Sequence, residues 1–374
     1  MENNNKFNTV KGIDKITLSN LKAEILDFEK LIRMRNVDIN YDSYGYIGDK
    51  PPDNRGYKIV IKDNKEFSDL VILNNYLQGS IRFSCVKLTL CVQYIKGNNI
   101  QPLTYTEYNS QIKKIIGYIE DKYKIRLITQ DMELDYLELN MNISLKHKFK
   151  DYDRPIKLIL SLITLRQNKV SVINENNNNN NIEPKSTYYS KSNNSIEHVF
   201  YLKKPSNQGI MDTDTLRYEI RFKNKKKIKY DFKTAKWNEL NDAVFDEYLK
   251  RQSDNLTTKY RNWLIWSKKW IIDSIKLIRQ QKTRGHMLQL ISEILDEEIN
   301  SNHIVVLDKK QIYAAIDKLK DTNGSRMKKD IKNYKRYSIK NKNIHNDILS
   351  NNSLEKASEI IEYFNKLFPS NLTS

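Results

Sequence analysis

The sequence predicts an α+β protein: an antiparallel-sheet core with helices, followed by an α-helical C-terminal domain. Three observations carry that expectation. Strand-like alternation and helical periodicity take turns over residues 1–235. A polar, Asn-rich tract at about 174–186 interrupts them. Beyond Trp237 the apolar spacing is helical to the end. The expected domains are therefore 1–235 and a basic 236–374.

Gly56 to Lys62 alternates and then runs apolar, as a strand does. Ile81 to Ile95, rich in Val, Leu, Phe and Tyr, reads as a long strand or hairpin closed by Lys96-Gly97-Asn98-Asn99. Tyr108, Ile112, Ile115, Ile116 and Ile119 then form a helical stripe over Thr104 to Tyr123, with Thr106 as its cap. A strand follows over Tyr136 to Ser144, and a helix from Pro155 to Arg166. Asn174 to Asn181, broken only by Glu175, is too polar to pack and reads as a flexible loop. Strands resume at 187–190, 197–202 and 215–222. In the helical half, Trp263, Trp266, Trp270, Ile271, Ile275 and Ile278 align as a buried seam. Asp308 caps a helix over Lys309–Leu319. A turn at Asn323-Gly324 and a basic helix from Arg326 follow, in the manner of a helix-turn-helix.

Composition narrows the function classes. Charged residues make up 29% of the chain and the mean hydropathy is −0.70. The most apolar run, Trp263 to Ile272, is broken by Lys268 and Lys269 and falls short of the ~20 residues of a membrane span. Met1 to Lys6 is polar, without a signal-peptide core. The expectation is a protein of the cytoplasm, with no membrane partner. Cys85 and Cys91 are six apart on one strand, about 20 Å at ~3.3 Å per residue, too far to bridge. No Cys/His cluster has zinc spacing.

The net charge of +18 is clustered. Lys223, Lys225, Lys226, Lys227 and Lys229 lie together. Arg326, Lys328, Lys329, Lys332, Lys335 and Arg336 form a second run. Such clusters concentrate positive potential and release phosphate counterions, which points to a nucleic-acid partner. Two acid-bearing strand patterns stand out against that charge: Leu137-Glu138-Leu139-Asn140-Met141-Asn142-Ile143 and Leu216-Arg217-Tyr218-Glu219-Ile220-Arg221-Phe222. Between them lie Tyr188, Tyr189 and Tyr201. Carboxylates suit Mg²⁺ or Mn²⁺, and a phenol is a nucleophile that can store a phosphodiester bond. Glu138 and Glu219 are the candidate ligands, with Asp135 or His198 as a third; Tyr188, Tyr189 and Tyr201 are the candidate nucleophiles. Lys191, Lys203, Arg217 and Arg221 are candidates to neutralise phosphate charge.

In order and spacing, these segments resemble the phage and plasmid replication-initiation proteins, related to the filamentous-phage initiators of rolling-circle replication. The resemblance rests on Gly79-Ser80-Ile81, on Gln93 to Ile100, on Leu103-Thr104 and on the Glu138 strand. It continues through the Tyr188 and Tyr201 strands to the Glu219 strand, covering about residues 75–230. It implies a nuclease-like core that nicks one strand of origin DNA, single-stranded or in a hairpin, leaving a tyrosine joined to the 5′ phosphate. It further implies a bacterial host cell and its replication machinery as a partner. The chain departs from the pattern in lacking a His-x-His metal pair: His147 is followed by Lys148 and Phe149. Any metal site must then be mainly carboxylate.

Blander readings stand beside these. Glu138 and Glu219 project away from their apolar neighbours, so either can face solvent, and Arg217 and Arg221 share the Glu219 face as an Arg–Glu ladder. Tyr188 and Tyr189 point to opposite faces of any strand, so at most one faces a given site. The alternatives to an enzyme are a non-catalytic DNA-binding protein and an RNA- or single-strand-binding protein.

Overall fold

The computed structural model describes residues 10–41, 56–78, 81–96, 102–163, 171–175, 185–192, 195–203, 214–280 and 353–367. The chain divides into two compact units: Met1–Ser144 with Ser192–Leu249, and Leu145–Lys191 with Lys250–Ser374. Both are discontinuous in sequence, which differs from the linear division at 235/236.

Antiparallel pairing builds the first unit. Its described strands are β1 (Val10–Ile25), β2 (Val37–Tyr41), β3 (Tyr57–Lys62), β4 (Asp69–Gln78), β5 (Ile81–Cys91), β6 (Ile125–Ile128), β7 (Glu133–Ser144), β10 (Ile196–Lys203) and β11 (Thr215–Phe222). They hydrogen-bond in the order β2-β3-β4-β5-β1-β7-β11-β10, with β6 paired to the far end of β1. Its helices are α1 (Phe28–Ile32), α2 (Val92–Lys96), α3 (Tyr105–Tyr123) and α5 (Lys225–Phe232).

Alternation separates the two faces of this sheet. On β7, Leu137, Leu139, Met141 and Ile143 are buried, and Leu216, Tyr218, Ile220 and Phe222 of β11 join them. The apolar stripe of α3 (Tyr108, Ile112, Ile115, Ile119) and Ile228 and Phe232 of α5 add to this core. The Phe222 ring packs at a tilt against Phe232 at 5.3 Å and edge-to-face against Tyr248 at 5.4 Å. Trp237, fully buried, lies 4.6 Å from the Tyr105 ring and donates from its indole to Asn109. Full burial of such a side chain contributes roughly 1.5–3 kcal/mol. The opposite face of β7 and β11 is polar: Tyr136, Glu138, Asn140 and Asn142 against Arg217, Glu219 and Arg221.

The α3 helix begins at Thr104, not Thr106. Thr104 accepts from the Glu107 amide while Glu107 reaches back to the Thr104 amide, a complete capping box. Thr106 instead binds Asp242. The Ile81 strand stops at Cys91 and turns into α2.

In the second unit, α4 (Asp153–Ile163) packs on α7 (Ser353–Leu367). Buried Glu359 of α7 accepts from the Tyr152 hydroxyl at 2.8 Å and the Lys146 amide at 3.0 Å. Strands β8 (Ser171–Glu175) and β9 (Lys185–Ser192) pair antiparallel, so Asn174 and Glu175 belong to a strand rather than the expected loop. The long helix α6 (Asp242–Arg279) carries the tryptophan stripe. It is not a uniformly buried seam: Trp266 is 41% exposed, and Trp263 stacks on Tyr260. The basic run from Arg326, with Lys328, Lys329, Lys332, Lys335 and Arg336, lies outside the described residues, as do the Asp308 cap and its turn.

Candidate metal centre

A β-bulge builds the site. On β1, Ile13 pairs with Leu139 and Lys15 with Glu138, so Asp14 is the extra residue between them. The bulge leaves Ile13 in the core and brings the Asp14 carboxylate beside Glu138 and Glu219. One oxygen from each of the three carboxylates lies within 4.8 Å of the others. Glu138 comes from β7 and Glu219 from β11, so three adjacent strands each supply one acid.

The surroundings hold these acids firmly. Arg221 donates to Glu219 at 3.0 and 2.6 Å and lies 3.6 Å from Glu138 and 3.5 Å from Glu197. Arg217, fully buried, donates to Asn142 at 2.9 Å and to Asp14 at 3.3 Å. The Tyr136 hydroxyl donates to Glu138, and the Tyr201 hydroxyl to Glu219. Lys203 places its ammonium 5.8 Å from the Tyr201 ring centre.

Electrostatics of the cluster favour added positive charge. Burial raises the Asp14 carboxyl above the usual range; Arg217 pulls it down and Glu219 adds to the rise. Burial and then Glu219 raise Glu138 likewise, against Tyr136 and Arg221. Burial lowers the Lys203 amine to about 8, helped by Arg217. The Tyr136 and Tyr201 phenols are raised by burial and then by the carboxylate each one touches. Among the described residues, Asp14 Oδ1 is buried without a hydrogen-bond partner. An all-oxygen donor set with an orphaned carboxylate oxygen fits a hard divalent ion such as Mg²⁺ or Mn²⁺. The two guanidiniums offset part of the acid charge, so the Arg–Glu ladder and the acid cluster are one arrangement.

The structure brings together Glu138, Glu219, Tyr201, Arg217 and Arg221. It does not bring in His198, which sits on the other face of β10: its ring stacks on Tyr218 and shares a 2.7 Å hydrogen bond with that hydroxyl. Asp135 is engaged by Lys87 at 2.5 Å and stands outside the cluster. Asp14 takes the third position. Tyr188, Tyr189 and Lys191 lie on β9 of the second unit, and their side chains are outside the described residues. Lys225 and Lys227, expected as phosphate contacts, begin the helix α5; they pair with Glu133 and Asp231, both at 2.8–2.9 Å, while Lys226 is exposed. No helix of the described residues is long and apolar enough to cross a membrane.

Fold and site together define an α+β protein whose antiparallel sheet carries a buried, oxygen-rich acid cluster on its polar face. No family model matches the chain, and no curated protein matches it. Among solved structures, a rolling circle replication initiator protein from Geobacillus stearothermophilus is 12% identical. That likeness covers 58% of this chain and 75% of that one, at a TM-score of 0.25.

Proposed function

We propose that this protein is a replication-initiation endonuclease. In this reading it nicks one DNA strand at an origin and holds the cut 5′ end on Tyr201. The observation that carries the reading is the convergence of Asp14, Glu138 and Glu219 beside a phenol already hydrogen-bonded to one of them. A divalent ion held by these acids would polarise the scissile phosphate and offset the charge facing the nucleophile.

The chain's own residues supply the remaining parts. Glu219 accepts the Tyr201 proton as the phenol oxygen bonds to phosphorus. The bond from phosphorus to the 3′ oxygen breaks, and that oxygen leaves and takes a proton from solvent to become a 3′ hydroxyl. The phosphodiester energy is kept in the tyrosyl bond, so the reverse attack rejoins the strand. Arg217, Arg221 and Lys203 set positive charge around the reacting phosphate. DNA is the partner, and the host replication machinery follows from the same reading.

Glu219→Gln tests it. The variant should lose nicking of supercoiled plasmid in Mn²⁺ while its affinity for single-stranded DNA stays near wild type. Nicking at the wild-type rate would make Glu219 a structural residue; no nicking by the wild-type protein itself would leave a DNA-binding protein as the better reading.

A further inference from the structure

Asn140 is 1% exposed, and neither its amide oxygen nor its amide nitrogen has a hydrogen-bond partner among the described residues. A buried amide left unpaired is destabilising, because it gives up its bonds to water and gains none, so a chain that keeps one needs a compensating use for it. Its position supplies that use. Asn140 follows Glu138 by two on β7, which puts both on one face, and it stands directly opposite Glu219 on β11. Opposed side chains on neighbouring strands have Cβ atoms about 4.5–5.5 Å apart. On its other side it faces Gly12 of β1, which has no side chain to pair with it. A Cβ on Gly12 would come 2.6 Å from the Leu103 carbonyl, so no larger residue can enter there to satisfy the amide. Its near neighbour Asn142 differs: that amide oxygen accepts from Arg217. Only Asn140 of the two is held in reserve.

We propose that the Asn140 amide oxygen is a fourth, neutral ligand of the cation site, completing Asp14, Glu138 and Glu219. The inference rests on the cation reading above. A neutral oxygen adds a ligand to a crowded acid cluster without adding charge. It also biases the site towards hard ions that take many oxygen donors.

The test uses the full chain and Mn²⁺ alone, with binding followed by electron paramagnetic resonance and stability by thermal melting. Asn140→Leu removes both polar atoms at similar volume. It should melt at or above wild type without metal, because the orphaned amide is gone. It should bind Mn²⁺ about tenfold or more weakly, the least that loss of a supporting group at a metal site costs. A merely structural amide would give the reverse pattern. Asn140→Asp keeps an oxygen at the same place and should bind Mn²⁺ at least as tightly as wild type, which keeps the test open should the leucine variant fail to fold. Wild-type Mn²⁺ affinity in Asn140→Leu, a lower melting point in its metal-free form, or weakened binding in Asn140→Asp would overturn the proposal. Wild-type protein that takes up no Mn²⁺ would sink the cation reading itself.

Discussion

Asp63, in the loop after β3, has a side chain only 1% exposed. Its Oδ2 accepts from Lys122 at 2.8 Å, Tyr118 at 3.0 Å and Tyr123 at 2.5 Å, and its Oδ1 from the amides of Lys65 and Glu66. Burial pushes this carboxyl up, but the bonds from Lys122, Tyr123 and Glu66 outweigh it and hold the group at about 2. A depressed carboxyl contributes stability above its unfolded value near 3.8 and loses it as pH falls through about 2. Asp63→Asn should therefore cost roughly 2 kcal/mol in urea unfolding at neutral pH, the scale of charge-assisted hydrogen bonds. The gap from wild type should close between about pH 4 and pH 2. A gap independent of pH would contradict the assignment of that stability to the ionised carboxylate. At the same scale, alternation alone placed Glu138 and Glu219 on the polar face. Asp14 was not legible that way, because the bulge at Asp14 breaks the two-residue period on which such a reading depends. His198 was excluded by alternation itself: three residues from Tyr201 on the unbulged β10, it faces the other side of the sheet whenever Tyr201 faces the acids.

At the scale of elements, α5 shows how charge runs mislead. Five lysines in Lys223–Lys229 read as a cluster of phosphate contacts. Asn224 instead caps a helix by accepting from the Lys227 amide. The helix then buries Ile228 and Phe232 and spends Lys225 and Lys227 on Glu133 and Asp231. Lys226→Ala alone should therefore lower the salt slope of single-stranded DNA binding by about 0.7, the share of one phosphate contact. Adding Lys225→Ala and Lys227→Ala should change that slope little further. An unchanged slope in all three variants would put the DNA on another surface. The long strand β1 escaped the sequence reading for want of a clean pattern: besides the Asp14 bulge, its pairing with β5 shifts between Leu18 and Leu21, and Asn20 there takes a positive φ of 56°. The α3 helix was legible because five apolar residues keep strict helical spacing; its cap was not, since Thr104 and Thr106 both suit the position and only hydrogen bonding separates them.

For the whole molecule, the α+β class was readable from alternating periods, yet the division into units was not. Each unit is assembled from two stretches of chain, and the break at Ser144 falls at the end of a strand with no shift in composition to mark it. The acid cluster belongs to the first unit alone, three of its central strands each contributing one carboxylate. That placement predicts a chemistry of the sheet rather than of the helical part, with the large positive charge serving to bring DNA to it. The most direct measurement is incubation of the protein with Mn²⁺ and labelled single-stranded DNA, then a denaturing gel and peptide mapping of any adduct. The account predicts a covalent adduct that needs the metal, maps to the peptide holding Tyr201 and disappears in Tyr201→Phe. An adduct on another peptide, or none in the presence of the replicon's own origin strand, would contradict it.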